Sequence, residues 1–146
     1  MELSECINFI LTSTQNSVFA YFKSRLQSFD VTPVQYALLK CLWTQDMQTP
    51  TQLSQILNLD ASSVTGILAR LEKKGLLERT YSKEDRRSVH VRLLPDGKAL
   101  QPGIEAVIDE ANAKILSGFT PESVSLFKQN LRQIEQNATT ALESVD

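Results

Sequence analysis

Apolar side chains recur at spacings of mostly three and four from the first residues of the chain: Leu3, Ile7, Ile10, Leu11, Val18, Tyr21, Phe22, Leu26 and Phe29. Such spacing draws one apolar stripe along a helix. No Gly or Pro interrupts it, so the pattern predicts one continuous helix over 3–29. At 1.5 Å per residue it is about 40 Å long, more than the core of a small domain needs. Thr32-Pro33-Val34-Gln35 then reads as a helix start. Thr caps, Pro suits the first helical position, and Gln three residues on reaches back. Tyr36 to Trp43 follow as a short, mostly buried helix. The signal repeats at Thr49-Pro50-Thr51-Gln52, before Leu53, Ile56 and Leu57, in a helix of barely two turns. Asp60 caps a third helix over 61–74, with Val64, Ile67, Leu68 and Leu71 on one face and Gly75 as its stop.

The period then changes. Leu76, Leu77, Arg79 and Tyr81 make a strand-like run, and 88–94 alternates, with Val89, Val91 and Leu93 opposite His90 and Arg92. The charged run Lys83-Glu84-Asp85-Arg86-Arg87 joins them, predicting a hairpin with a charged tip. Helical spacing returns after Pro95-Asp96-Gly97 and runs from Leu100 to Leu116. Gly118 breaks it, and Thr120-Pro121-Glu122 opens a last helix carrying Val124, Phe127, Leu131, Ile134, Ala138 and Leu142. The expected fold is mainly α with a small β-hairpin. A winged helix-turn-helix lobe occupies 31–98, and long terminal helices in 1–30 and 99–146 carry apolar stripes of their own.

Composition narrows the chemistry. A chain of 146 residues with two Cys suits one compact domain that needs no disulfide. With His90 as its single histidine, it supplies neither a zinc-ligand spacing nor a Ser-His-Asp relay, and it contains no phosphate-binding glycine loop. The expectation is a protein without cofactor, metal site or catalysis. No run of about 18 apolar residues is present, and the acidic N-terminus lacks a signal peptide's basic region. The expected compartment is the cytoplasm, with no membrane partner.

In a helix-turn-helix the second helix enters the major groove. Here its outward positions are Ser62, Ser63, Thr65, Gly66, Ala69, Arg70 and Lys73. Small hydroxyl side chains allow close approach and can bond phosphates or base edges. The helix N-terminus offers backbone N–H groups to a phosphate. Thr51 belongs to the preceding helix. The hairpin tip adds Lys83, Arg86 and Arg87 for the minor groove, with Asp85 placed to hold the Arg87 guanidinium in a fork. Net charge is −2 overall, yet 61–98 holds nine Lys and Arg against five Asp and Glu, a local +4, leaving −6 for the remainder. A basic patch of this kind is the footprint of phosphate binding.

These residues resemble the MarR family of bacterial transcription regulators. The resemblance is carried by Leu53-Ser54-Gln55-Ile56-Leu57, by the run from Ser62 to Arg79, by Asp85-Arg86-Arg87-Ser88, and by Val91, Leu93 and Gly97; Leu94 stands where the family's helix-capping Thr is usual. The resemblance implies a homodimer joined through the terminal helices, 1–30 and 99–146. It implies a repressor that reads palindromic double-stranded DNA and is released by a small effector, a phenolic or aromatic acid. Phe19, Phe22, Lys23, Tyr36 and Trp43 are the expected ligand-binding residues. It also leaves an alternative, oxidative-stress sensing through the thiol of Cys6, although Glu2 and Glu5 are the charges nearest to it in sequence. A winged-helix module for protein–protein contact is the remaining possibility, and an apolar outward face on the third helix would mark it.

Overall fold

The computed structural model describes every residue except Arg86 and Asp146. Helices α1 (Ile7–Leu26), α2 (Pro33–Thr44), α3 (Pro50–Leu57) and α4 (Ala61–Lys73) lead into strands β1 (Leu77–Tyr81) and β2 (Val89–Leu93). Then come α5 (Pro95–Ala99), α6 (Gln101–Ile115) and α7 (Pro121–Glu143). The first helix is not continuous over 3–29. Leu3–Glu5 forms a separate 3-10 turn, Cys6 adopts an extended backbone and caps α1, and Gln27–Phe29 tightens to a second 3-10 turn that ends at left-handed Asp30. Periodicity survives both breaks, because one residue of altered backbone shifts the stripe by only a fraction of a turn.

Both Thr-Pro-x-Gln signals form as read. Thr32 Oγ1 accepts from Gln35 N–H at 3.2 Å while Thr32 N–H donates to Gln35 Oε1 at 3.1 Å. Thr49 and Gln52 repeat the exchange at 3.1 and 2.9 Å. Each box satisfies two helix-end donors that burial would otherwise strand. Leu94 caps α5 without a side-chain bond; Pro95 fills the first position and has no N–H to satisfy.

Contacts divide the chain into two compact units, Met1–Ala111 and Asn112–Asp146. The first contains the core. Leu26, Leu38, Leu39, Leu53, Leu71 and Ile104 are fully buried there, with Val64 and Leu68 of α4 and Leu77, Val91 and Leu93 of the hairpin beside them. β1 and β2 pair antiparallel, Leu77 opposite Leu93 and Tyr81 opposite Val89. The loop before α3 is tied to this hairpin. Val91 N–H donates to Gln48 O at 2.8 Å, and Leu93 N–H donates to Asp46 Oδ1 at 2.9 Å. Trp43 Nε1–H donates to Gly97 O at 2.9 Å, and a Cβ on Gly97 would lie 2.1 Å from Leu76 O. Gly97 is therefore required by close approach of backbone to backbone. The second unit comprises the end of α6, the turn at Gly118 (φ +88°) and α7, none of whose residues is fully buried.

Candidate nucleic-acid interface

The turn between α3 and α4 is made by Asn58 in the left-handed region (φ 52°), a conformation Asn tolerates better than most residues. Ser54 Oγ–H donates to Leu59 O at 2.6 Å and closes the turn. α4 then lies with Val64, Ile67, Leu68 and Leu71 in the core. The same register leaves Ser62, Ser63, Thr65, Arg70 and Lys73 exposed along one side, with Gly66 half-buried among them. Thr51 is exposed on α3. A shallow depression beside this side is lined by Val34, Leu59, Ser62, Ser63, Gly66, Ile67 and Arg70.

Gly66 is informative because a Cβ there meets nothing within 4 Å. Glycine costs a helix interior about 1 kcal/mol relative to Ala. Packing within the chain does not require that cost, since the position faces open space.

At the N-terminus of α4, one of the backbone N–H groups expected to face a phosphate is taken by the cap. Asp60 Oδ1 already accepts from Ser63 N–H at 2.7 Å and from Ser62 Oγ–H at 2.8 Å. Those bonds, that from the Ser63 backbone foremost, hold the Asp60 carboxyl below the usual carboxylate range. Thr65 Oγ1–H bonds back to Ala61 O at 2.8 Å. Both hydroxyl groups keep free lone pairs for an external donor.

The basic segment divides into two sets. Arg79 grips Glu72 through Nε and Nη2 at 3.0 and 2.8 Å, Arg92 pairs with Glu78 directly across the hairpin, and Lys74 is held by Asp30 and Gln35. These cations brace the lobe. Among the described residues, Arg70, Lys73, Lys83, Arg87 and Lys98 form no ion pair within the chain. Sequence reading could not separate the sets, since partners such as Asp30 lie far away in the chain.

At the hairpin tip Lys83, Asp85 and Arg87 are exposed; Arg86 lies outside the described residues. The fork expected between Asp85 and the Arg87 guanidinium does not form. Asp85 Oδ1 accepts instead from the Arg87 backbone N–H at 2.9 Å, and Ser82 Oγ accepts from Glu84 and Asp85 N–H at 3.2 and 3.4 Å. The carboxylate thus shapes the turn and leaves the guanidinium free to point outward.

The residues expected to hold a ligand are dispersed. Phe22, Tyr36 and Trp43 pack against the core, and the Tyr36 and Trp43 rings stand 6.4 Å apart. Burial, the largest influence, raises the Tyr36 hydroxyl pKa. Phe19 is exposed on α1, and Lys23 lines a cavity at the α1–α2 corner. Cys6 is half-buried at the N-cap of α1, a helix end that the continuous-helix expectation had hidden. Burial pushes the Cys41 thiol up, which fits a small apolar core residue. Among the described residues no helix is long and apolar enough to cross a membrane.

Residues 31–89, the stretch from the α2 cap to the start of β2, match the MarR family model. The organic hydroperoxide resistance transcriptional regulator of Bacillus subtilis is 29% identical over 145 residues, covering 99% of this chain and 92% of the relative. A probable transcriptional regulator from Pseudomonas aeruginosa superposes with a TM-score of 0.83 at 28% identity, covering 91% of this chain and 99% of that one. The transcriptional repressor CouR of Rhodococcus jostii, solved on a 23-mer DNA duplex, shares the fold. Its TM-score is 0.85 at 24% identity, over 92% of this chain and 95% of that one.

Proposed function

We propose that this chain, whose residues 31–89 match the MarR family model and which is similar to transcriptional regulators along nearly its whole length, is a repressor that reads a palindromic operator as a homodimer and is released by a small ligand. The observation that carries this reading is the outward side of α4. Ser62, Ser63, Thr65, uncovered Gly66, Arg70 and Lys73 share it, unengaged by the core. A polar side of this kind suits base edges and phosphates, and disfavours the alternative of an apolar protein-docking face. Thr51 from α3 and Lys83, Arg86 and Arg87 from the hairpin complete the contact. Asp85 supports it by holding the turn. The terminal regions 1–30 and 99–146 act as the dimerisation helices, and two-fold symmetry in the protein calls for two-fold symmetry in the operator. Phenolic or aromatic acids are the proposed ligand class, by analogy with BpsR of Bordetella bronchiseptica, a structural neighbour whose DNA binding is regulated by 6-hydroxynicotinic acid. The work is done in the cytoplasm.

The test is fluorescence anisotropy of the purified protein on a palindromic duplex from upstream of its own gene, against scrambled duplex. Specific binding at least a hundredfold tighter, weakening steeply with salt, supports the reading. Equal affinity for both duplexes overturns it.

A second reading is favoured by likeness to the hydroperoxide regulator over nearly the whole chain and by the place of Cys6 at a helix N-terminus. In it, the Cys6 thiolate attacks the peroxide oxygen of an organic hydroperoxide, giving a sulfenic acid and releasing the alcohol. Cumene hydroperoxide then weakens operator binding by the native protein and leaves that of Cys6→Ser unchanged. An equal response from both proteins removes Cys6 from the mechanism.

A further inference from the structure

The two Thr-Pro-x-Gln boxes are alike in sequence and unlike in use. In the second, Gln52 is exposed, and among the described residues its Oε1 accepts only from Thr49 N–H. In the first, Gln35 is 4% exposed and its Oε1 accepts twice, from Thr32 N–H at 3.1 Å and from Lys74 Nζ at 3.2 Å. A carbonyl oxygen has two lone pairs, and burial without partners is costly. Capping of α2 uses one of them. The other takes a cation from the end of α4, a task that capping does not require.

Lys74 is the C-cap of α4, and left-handed Gly75 (φ +75°) turns the chain away behind it. Its Nζ also donates to Asp30 O, in the turn between α1 and α2, with Asp30 Oδ2 at 3.5 Å. The Asp30 side chain is 92% exposed, so the charge pair contributes little and the two carbonyl oxygens make the hold. Only 28% of the Lys74 side chain is exposed. Lys74 therefore sits in the basic segment without presenting its charge outward as Arg70 and Lys73 do. Two residues earlier, Glu72 binds Arg79 of β1. The last turn of α4 is thus tied on two sides, to the α1–α2 turn and to the hairpin. The side-chain bonds of its first turn are local, between Asp60, Ser62 and Ser63.

We propose that Lys74 is a positioning residue for sequence recognition: held by Gln35 Oε1 and Asp30 O, it fixes the tilt at which α4 presents Ser62, Ser63 and Thr65, and it makes no contact with DNA itself. The inference rests on the reading above that α4 enters the major groove. A helix of 13 residues is about 20 Å long, so a loosened last turn swings the first turn against the base edges. Hydrogen bonds to base edges weaken steeply away from their proper distance and angle. Contacts of long, flexible cations with phosphates tolerate such a swing. Loss of the anchor therefore falls on discrimination between sequences and spares the electrostatic part of the affinity.

The test uses the full-length protein and Lys74→Met, which keeps the side-chain stem. Hydrogen–deuterium exchange of amides 70–76, read without DNA, should rise severalfold in the variant. This arm reports the anchor even if the native protein fails to tell operator from random duplex, a result that would sink the operator reading alone. On DNA, Lys74→Met should bind the operator about tenfold more weakly and random duplex as the native protein does, with an unchanged salt slope, because no phosphate contact is lost. Gln35→Met should lose part of the same discrimination, and the double variant should lose no more than Lys74→Met does, because the two side chains act as one contact. The proposal is overturned if exchange at 70–76 stays native in Lys74→Met, or if the losses of the two single variants multiply. It is equally overturned if Lys74→Met weakens both duplexes alike and lowers the salt slope by about one, the signature of a phosphate ligand.

Discussion

Helices α4 and α7 carry apolar stripes of the same period and meet different fates. The stripe of α4, Val64, Ile67, Leu68 and Leu71, is buried against elements of its own unit, and its polar side is what remains outside. In α7 no residue is fully buried; Leu126, Phe127 and Leu142 are exposed by more than half and Val124, Leu131 and Ile134 only partly covered. An apolar stripe specifies that a face will be covered but not by what. The lobe supplies its own cover for α4. The proposed second subunit supplies it for α7, and the exposed Leu3, Ile7, Phe9 and Ile10 at the other end of the chain have the same need.

This contrast can be broken at either helix. The largest effect is expected from Leu71→Ala, which empties a fully buried site in the lobe. Urea denaturation should show a loss of about 3–5 kcal/mol, as for other buried leucines truncated to alanine. On α7, Phe127→Asp should leave the lobe's fold intact and weaken self-association by about a hundredfold or more. Sedimentation equilibrium reads this directly, with about 2.7 kcal/mol corresponding to that ratio. If Phe127→Asp instead unfolds the lobe, α7 is covered by its own chain and the contrast fails.

Smaller changes sharpen the picture on the polar side of the lobe. Arg87→Ala should weaken operator and random duplex alike by about tenfold and lower the salt slope by about one, with melting temperature unchanged. Gly66→Ala should move two properties in opposite directions. Stability rises by about 1 kcal/mol because the new methyl meets open space and suits a helix. DNA affinity should fall, because the proposed interface brings the duplex close to that space. The mildest effect is at Asp60. Its carboxyl is held below the ordinary value by the Ser63 N–H and the Ser62 hydroxyl, so its cap is complete at neutral pH. It is lost as pH falls from about 4 through the lowered folded-state value. Amide exchange of residues 62–64 should rise in that acid window, and Asp60→Asn should flatten the dependence.

Much of the site was legible from local pattern. The two Thr-Pro-x-Gln boxes, the Asp60 cap and the alternating strand 89–93 concern neighbours within a few residues, and backbone hydrogen bonding decides them locally. The exposed side of α4 follows from the same period that marks its core. The break at Cys6 was not legible, because an extended residue between a 3-10 turn and a helix leaves the apolar spacing almost intact. The roles of Lys74, Arg79 and Arg92 were not legible either. Each reads as one more positive charge until Asp30, Glu72 and Glu78 are brought beside it.

Periodicity, capping and charge are properties of short stretches, so the order of helices and strands, the faces they bury and the segregation of basic residues into 61–98 are written locally in the chain. Which cations brace the lobe and which remain free, and the anchoring of the end of α4 on Asp30, 44 residues earlier in the chain, emerge only in the folded chain. Those outcomes depend on partners distant in sequence, and distance in space becomes defined only when the core closes and brings them together.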